Sequence, residues 1–415
     1  MKISGIPKEF KDFFNRYRDL FSKKKFFYFS AYVYGIIVMP KQKKNVTQIA
    51  SAWVSPLCRS SLQKFISEVQ WEFQKVLQRS RTQVVRRLSH LPRNQRRIEV
   101  VVDDTELDKF GASVFGVSWF KRRKEDLPWR AIQIVVVGVL FGDWFIPLDF
   151  RVYASRKACK LLPMEFKSKL QLAQEMLKKL KLPKELRVEV MFDSWYLHES
   201  ITKVVQSRRW RWYSRCRSNR KVRWEKVVEG EKSKSRLDKY AKIVEWEKLD
   251  YKTKRKNRAL VGHQRIGELG SVGRVKFVIT SLKTTGKERV AFFCTNHTQI
   301  LMVELVKKYE RRWKIEVYFR ESRAYLALEH WYFRDVVSVV HHLCLSIVAM
   351  IACFCVRIKQ KEEGESLGTL GEFVREAEKK NQRMVLRWFL KQCHLEDVTP
   401  KDEKNFGGLC ECLGI

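Results

Sequence analysis

Three acidic residues of this 415-residue chain stand where their side chains are suited to act together. Asp104 follows the β-branched run 98–102, and Asp193 follows the apolar run 188–192. Both runs are typical of buried strands, and in α/β sheets the groups that do chemistry gather at strand ends. With Glu316, which lies in a charged stretch further on, they form an all-oxygen set of the kind that Mg²⁺ and Mn²⁺ prefer. The set indicates phosphoryl transfer with two metal ions about 4 Å apart.

The stretch YERRWKIEVYFRESR, residues 309–323, is predicted to be one helix that faces this site. At about 100° per residue, Tyr309, Arg312, Glu316 and Arg323 fall within about 60° of arc and are flanked by apolar positions. A polar stripe between apolar flanks is typical of a surface inside the protein rather than of a solvated face. The alternative is an ordinary ion-pair ladder in which Arg312 pairs with Glu316 one turn away.

The charge of the chain indicates a polyanionic partner. Lys and Arg number 84 against 46 Asp and Glu, which gives a net charge of +38, and nucleic acid is the first candidate. A ribosomal or a membrane-surface protein would also be basic. The ten cysteines show no zinc-binding spacing, and the N-terminal residues MKISGIPKEF lack the apolar region of a signal peptide, so we expect a cytoplasmic protein with reduced thiols.

The pattern of apolar residues predicts an α/β protein with a helical N-terminal region. Strands are predicted at 98–102 and 188–192, a β-hairpin at 131–153 and a helix at 164–180. The nearly uncharged run 336–356 is long enough to span a membrane, but we interpret it as a buried core helix. The basic N-terminal helices either bind DNA or pack on the core, and the sequence does not decide between the two.

These patterns divide the chain into five predicted regions. They are a basic helical region that is a candidate for DNA binding (1–95), a first core segment (96–207), a β-rich insertion (208–297), a second core segment (298–357) and a helical C-terminal tail (358–415).

The order of these features resembles the DDE transposases of bacterial insertion sequences, over roughly residues 30–350. Tyr309, Arg312 and Glu316 fit the pattern Y-x2-R-x3-E-x6-K of the insertion-sequence-four superfamily, although Arg323 stands where that pattern has Lys. VVDDT resembles the first aspartate motif of the family, in which the residue before Thr is the ligand; this favours Asp104 over Asp103. FDSWY resembles the second motif and carries Asp193.

The resemblance implies an RNase H-like mixed-sheet core and a transposase that cleaves and transfers DNA strands. It implies two Mg²⁺ ions, with Mn²⁺ as a substitute, held by Asp104, Asp193 and Glu316. It also implies that Tyr309, Arg312 and Arg323 contact the transposon end.

The partners implied are double-stranded DNA, as transposon ends and as target, and a second copy of the chain in the DNA complex. No membrane partner is expected, and the location would be the bacterial cytoplasm, on the nucleoid when bound to DNA. The alternatives are a DNA-binding protein with an inactive transposase-like domain and a metal-dependent nuclease without strand transfer.

An aromatic residue of the insertion would stack on a flipped base in such an enzyme. For each candidate, packing in the core is the favoured interpretation. The candidates are Trp210, Trp212, Trp224, Trp246, Phe292 and Phe293.

Overall fold

A computed structural model gives the fold of most of the chain. It describes residues 1–67, 71–89, 97–109, 111, 114–121, 125–161, 165–225, 233–252, 259–284, 287–361 and 365–392. Residues 393–415 of the predicted C-terminal tail lie outside the described residues.

In these residues five α-helices precede the first strand, strands and helices are mixed in the middle of the chain, and four helices follow the last described strand. The helices are α1 (Lys8–Phe14), α2 (Lys23–Val38), α3 (Val46–Ala52), α4 (Arg59–Ser67), α5 (Phe73–Ser89), α6 (Arg156–Leu161), α7 (Lys169–Lys179), α8 (Glu199–Ser207), α9 (Leu237–Tyr240), α10 (Met302–Arg311), α11 (Lys314–Tyr325), α12 (Val336–Gln360) and α13 (Leu370–Gln392). The strands are β1 (Arg97–Asp108), β2 (Val117–Phe120), β3 (Trp129–Phe141), β4 (Trp144–Tyr153), β5 (Arg187–Phe192), β6 (Arg211–Arg215), β7 (Lys221–Trp224), β8 (Lys234–Arg236), β9 (Glu247–Lys252), β10 (Ala259–Glu268), β11 (Arg274–Thr284) and β12 (Lys287–Thr295).

The described strands form one mixed sheet, so the predicted α/β class is confirmed. Strand β1 pairs in parallel with β5, and β5 with β6, while β3 runs antiparallel to β1 and forms the predicted hairpin with β4. Strands β7 to β12 continue the same sheet, because β12 pairs with β6. The β-rich insertion thus extends the central sheet, and its predicted boundaries stay a prediction.

Strand β1 is longer than the sequence predicts. The parallel ladder with β5 ends at the pair Val102 and Phe192, close to where the strand was expected to stop. The antiparallel ladder with β3 continues to Asp108, because β3 is long enough to pair with it. Asp103 and Asp104 therefore lie inside a strand, just past the parallel ladder, and their side chains point to opposite faces of the sheet.

Helix α12 lies in the core, as predicted for the apolar run. It is long and apolar enough to cross a membrane, with a mean hydropathy of 2.3, yet 94% of that window is buried inside the protein. Its two histidines are bonded within the core: His342 to the Tyr32 hydroxyl at 2.9 Å, and His341 to the Ile66 carbonyl at 2.7 Å. Helices α1, α2, α4 and α5 pack against α12, so this basic region does pack on the core, and its predicted DNA binding stays a prediction.

The single helix predicted over residues 309–323 is wrong. Helix α10 ends at Arg311 and α11 begins at Lys314. At the junction the N–H groups of Arg312 and Trp313 donate to carbonyls three residues earlier, at 3.0 and 3.1 Å, which is the tighter 3₁₀ pattern. Such a turn rotates the chain faster than an α-helix, so the helical angles calculated for residues 309–323 as one α-helix do not hold across the junction.

Candidate active site

The candidate site lies where three separate elements meet: strand β1, the loop after β5 and the junction of α10 with α11. Asp193 is the first residue of that loop. Its Oδ1 accepts backbone N–H bonds from Trp195 at 2.9 Å and from Tyr196 at 3.3 Å, which fixes the carboxylate at the strand end. Burial raises the pKa of Asp193, although these two bonds lower it.

Asp103 is the carboxylate of β1 that faces the helix junction. It is only 8% exposed, and its Oδ2 forms an ion pair with Nη1 of Arg312. Burial raises the pKa of Asp103 to about 7; Arg312 opposes the shift, while Asp193 and Glu316 add to it by repulsion. Asp103 therefore shares one electrostatic environment with the two other predicted carboxylates.

Asp104, which the sequence favours, points to the other face of the sheet. Its carboxylate accepts the Tyr196 hydroxyl at 2.7 Å, the Lys169 ammonium at 3.1 Å and the Gln133 amide at 2.5 Å. Its negative charge still raises the pKa of Asp193, so Asp104 also lies near the site. The structure thus brings Asp103, rather than Asp104, into contact with Arg312, which also pairs with Glu316.

Arg312 is the cation at the centre of this cluster. It pairs with Glu316 at 3.5 Å, as the ion-pair alternative predicts, but it also reaches across to β1. Its Nε and the Tyr309 hydroxyl are buried, and neither meets a described residue with hydrogen-bonding geometry. Burial raises the pKa of Tyr309 to about 12, while the nearby guanidinium lowers it. Both groups therefore lie inside the cluster, out of contact with solvent.

Arg323 lies apart from this cluster and holds α11 to the continuation of β1. Its Nη2 donates to the Thr105 hydroxyl and to the Glu106 carbonyl, both at 2.6 Å, and its Nε lies 3.6 Å from Glu329. These contacts give Arg323 a structural role with partners that the sequence did not indicate. Its predicted contact with DNA stays a prediction.

The aromatic residues of the insertion mostly pack in the core, as the sequence favours. Trp212, Trp224, Phe292 and Phe293 are buried, and Trp210 and Trp246 are half-buried against the core. The exposed aromatics beside the site are instead Trp195 and Trp313. Sequence reasoning gave no role to either.

Three residues close to the site were missed for different reasons. Trp195 and Tyr196 belong to the FDSWY stretch itself, so their proximity to Asp193 was a usable signal. Lys169 lies on α7, and only the tertiary fold brings it to Asp104.

The residues of the candidate site suit metal ions by the chemistry of their side chains, and not by the positions that the side chains have in this structure. Among the described residues, no three His, Cys, Asp or Glu side chains are arranged to hold an ion. The donors are nevertheless all carboxylate oxygens, which suit Mg²⁺. Burial and mutual repulsion raise the pKa of Asp103, and the charge of Asp104 helps to raise that of Asp193. A cation relieves such repulsion, and in this structure the Arg312 guanidinium does so.

Comparison with known proteins identifies one family. The sequence profile described as DDE superfamily endonuclease matches residues 16–260, which include Asp103, Asp104 and Asp193 but not Glu316. No curated protein matches the chain. Among solved structures it is similar to the cryo-EM structure of a piggyBac transposase synaptic complex with hairpin DNA, at 10% identity, with a TM-score of 0.47 and coverage of 96% of this chain and 80% of that chain.

Proposed function

Because the chain belongs to the DDE superfamily endonuclease family, we propose that it cuts DNA strands at the edge where Asp103, Asp193 and Glu316 meet. The observation that carries this proposal is the convergence of acidic groups from three elements around Arg312. Asp103 is buried near two further carboxylates, and burying a charge beside like charges costs stability, so such a cluster is typical of a functional site. The net charge of +38 suits a polyanionic substrate such as DNA.

The finer proposal is a transposase of an insertion sequence, of the insertion-sequence-four type, acting in the bacterial cytoplasm. It would cleave and then transfer strands at the ends of its element, as a dimer on double-stranded DNA. The Tyr309, Arg312 and Glu316 spacing supports this proposal. The parallel strands β1, β5 and β6 beside the antiparallel β3 and β4 support an RNase H-like core.

Three carboxylates would hold the metal ions of the proposed reaction. Asp193 and Glu316 are two of them; the third is Asp103 by geometry or Asp104 by resemblance. Two bound Mg²⁺ ions would supply activation of the attacking water or 3′-hydroxyl and stabilisation of the leaving oxygen. For Asp103 to serve as a ligand, Arg312 must release it.

Arg312 and Tyr309 would bind the strand that is cut. The Arg312 Nε and the Tyr309 hydroxyl are buried donors, and phosphate oxygens are acceptors suited to both. If Arg312 were released from Asp103, its guanidinium would stay within the site and could form an ion pair with a phosphate. These two side chains would thus orient the backbone against the carboxylates.

Cleavage of duplex DNA taken from the sequence on either side of the gene tests the proposal. The substitutions Asp193→Asn and Glu316→Gln should reduce Mg²⁺-dependent cleavage by about a hundredfold or more, because each removes a ligand charge. Melting temperature and duplex binding should stay close to wild type. Glu268→Gln is the matched control, since its exposed pair with Arg223 at 3.8 Å contributes little.

The products distinguish the alternatives. Joined strands indicate a transposase, and cut but unjoined strands indicate a nuclease. Tight duplex binding without any cleavage indicates an inactive DNA-binding protein and contradicts the proposal.

A further inference from the structure

Two glutamates stand side by side on the face of the sheet that carries Asp103. Glu99 on β1 and Glu189 on β5 are direct partners in the parallel ladder, so their side chains share a face. Glu99 lies four residues before Asp103. Glu189 lies four residues before Asp193. Because side chains alternate between the faces of a strand, a spacing of four keeps Glu99 on the face of Asp103, about 13 Å behind it.

Helix α10 supplies the cation for both glutamates. Arg311 Nε lies 2.6 Å from Glu99 Oε2, and Lys308 Nζ lies 2.5 Å from Glu189 Oε2. The two cations are three residues apart, so they project from neighbouring positions on one face of α10. Glu99 with Arg311 and Glu189 with Lys308 are called the upstream pairs below.

The upstream pairs are held by further bonds and are largely removed from water. Glu189 is 2% exposed and Lys308 is 7% exposed. The second oxygen of Glu189 accepts the Tyr213 hydroxyl at 3.2 Å. Arg311 also donates to the Gly142 carbonyl at 3.1 Å, in the turn between β3 and β4. Charge and hydrogen bonding therefore fix both cations of α10 to defined places on the sheet.

Ion pairs of this kind set the position of a helix more than they strengthen its packing. Buried charges are costly to desolvate, and apolar side chains of similar volume often stabilise a protein equally well. Apolar packing alone allows a helix to slide, and a slip of one turn moves it by about 5.4 Å. Only one position of α10 brings both cations to both glutamates. Because Arg312 directly follows α10, that position also brings Arg312 to Asp103.

We propose that the upstream pairs position α10 so that Arg312 and Tyr309 face the carboxylates of the candidate active site. The four residues of these pairs are positioning residues, since they act on the site through α10. The inference rests on the proposed function, which it deepens by naming the residues that set the geometry of the site.

Cleavage by the double variant Glu189→Gln with Lys308→Met tests this positioning. The variant removes both charges of the more buried pair, so no buried charge is left unpaired and the net charge stays +38. At saturating DNA and Mg²⁺, cleavage per folded molecule should fall about tenfold or more, because small displacements of reacting groups are costly to the rate. Duplex binding in EDTA should equal that of wild type. The matched control is Glu72→Gln with Lys75→Met, which removes an exposed pair at 2.7 Å.

The second upstream pair allows a test with a conservative variant. Glu99→Gln with Arg311→Met should also lower cleavage per folded molecule about tenfold. Arg311→Lys keeps the cation and should retain most of the activity. The Arg311 side chain is 39% exposed, so these variants decide the question if the more buried double variant does not fold. A purely stabilising pair would lower only the melting temperature.

Amide hydrogen exchange measures the positioning without any cleavage. Residues 302–325 include α10, the junction and α11. In both double variants their amides should exchange about tenfold faster than in wild type, because the helix is held less firmly against the sheet. The amides of α12, which is buried in the core, should exchange as in wild type and serve as the internal control.

Two results would overturn the inference. The first is cleavage per folded molecule by the double variants of the upstream pairs that equals that of the control variant. The second is unchanged amide exchange over residues 302–325. If wild type cleaves duplex DNA in either case, the proposed function stands and only this inference fails. If folded wild type cleaves no duplex, the proposed function fails and this inference fails with it.

Discussion

The two faces of β1 give neighbouring aspartates different surroundings. Asp103 faces the helix junction, is buried and pairs with the guanidinium of Arg312. Asp104 faces α7 and accepts bonds from Tyr196 and Lys169. Asp103 thus lies near other carboxylates, whereas Asp104 is surrounded by hydrogen-bond donors. Adjacent residues of the same type thus acquire separate chemical roles because successive side chains of a strand point to opposite faces.

Comparing the substitutions Asp103→Asn and Asp104→Asn tests this difference most strongly. We expect Asp103→Asn to lower Mg²⁺-dependent cleavage by about a hundredfold or more. Asp104→Asn should lower it by about tenfold, because the Asp104 carboxylate mainly holds the Tyr196 hydroxyl and the Lys169 ammonium in place. Rates per folded molecule on one duplex substrate provide the measurement. The reverse order would assign the ligand to Asp104, as the resemblance favours.

The contribution of Asp103 to the stability of the fold should depend on pH. The pKa of Asp103 in the folded chain, about 7, lies above its ordinary value of 3.8. Between these values the folded state binds more protons than the unfolded state, so this group stabilises the fold below about pH 4 and that stabilisation is lost as pH rises towards 7. Relative to wild type, the free energy of unfolding of Asp103→Asn should therefore rise by about 4 kcal/mol from pH 4 to pH 8.

Melting temperatures of both proteins at pH 4, 6 and 8, without divalent ions, measure this gain. Asp104→Asn is the control for the other face. A constant difference between Asp103→Asn and wild type at all three values would contradict the burial of an ionisable Asp103.

Substitution of Arg323 should have a smaller effect, because Arg323 joins α11 to the part of β1 that lies beyond the carboxylate cluster. Arg323→Ala should destabilise the protein by about 1–2 kcal/mol, since Thr105 and the Glu106 carbonyl lose their donor. Arg323→Lys should recover part of this stability, because one ammonium cannot reproduce the forked pair of bonds. Arg320→Ala, exposed on the same helix, is the control. Unchanged melting with impaired cleavage in Arg323→Ala would favour the DNA contact predicted from sequence.

The sequence by itself determined the local elements and the candidate residues. Apolar periodicity located β5, the β3–β4 hairpin and the buried α12, because burial demands a regular spacing of apolar side chains. The acidic residues that end or interrupt these runs identified Asp193 and the pair in β1.

Only the tertiary structure decided how those residues face one another. The end of β1 depends on β3, which extends the strand past the ladder with β5. The ion pair of Arg312 with Asp103 depends on the packing of the α10–α11 junction against β1, which lies far away in the sequence. The position of Lys169 depends on the packing of α7 against the sheet. In each case the deciding partner is distant in sequence, and its position is set by the packing of the whole chain.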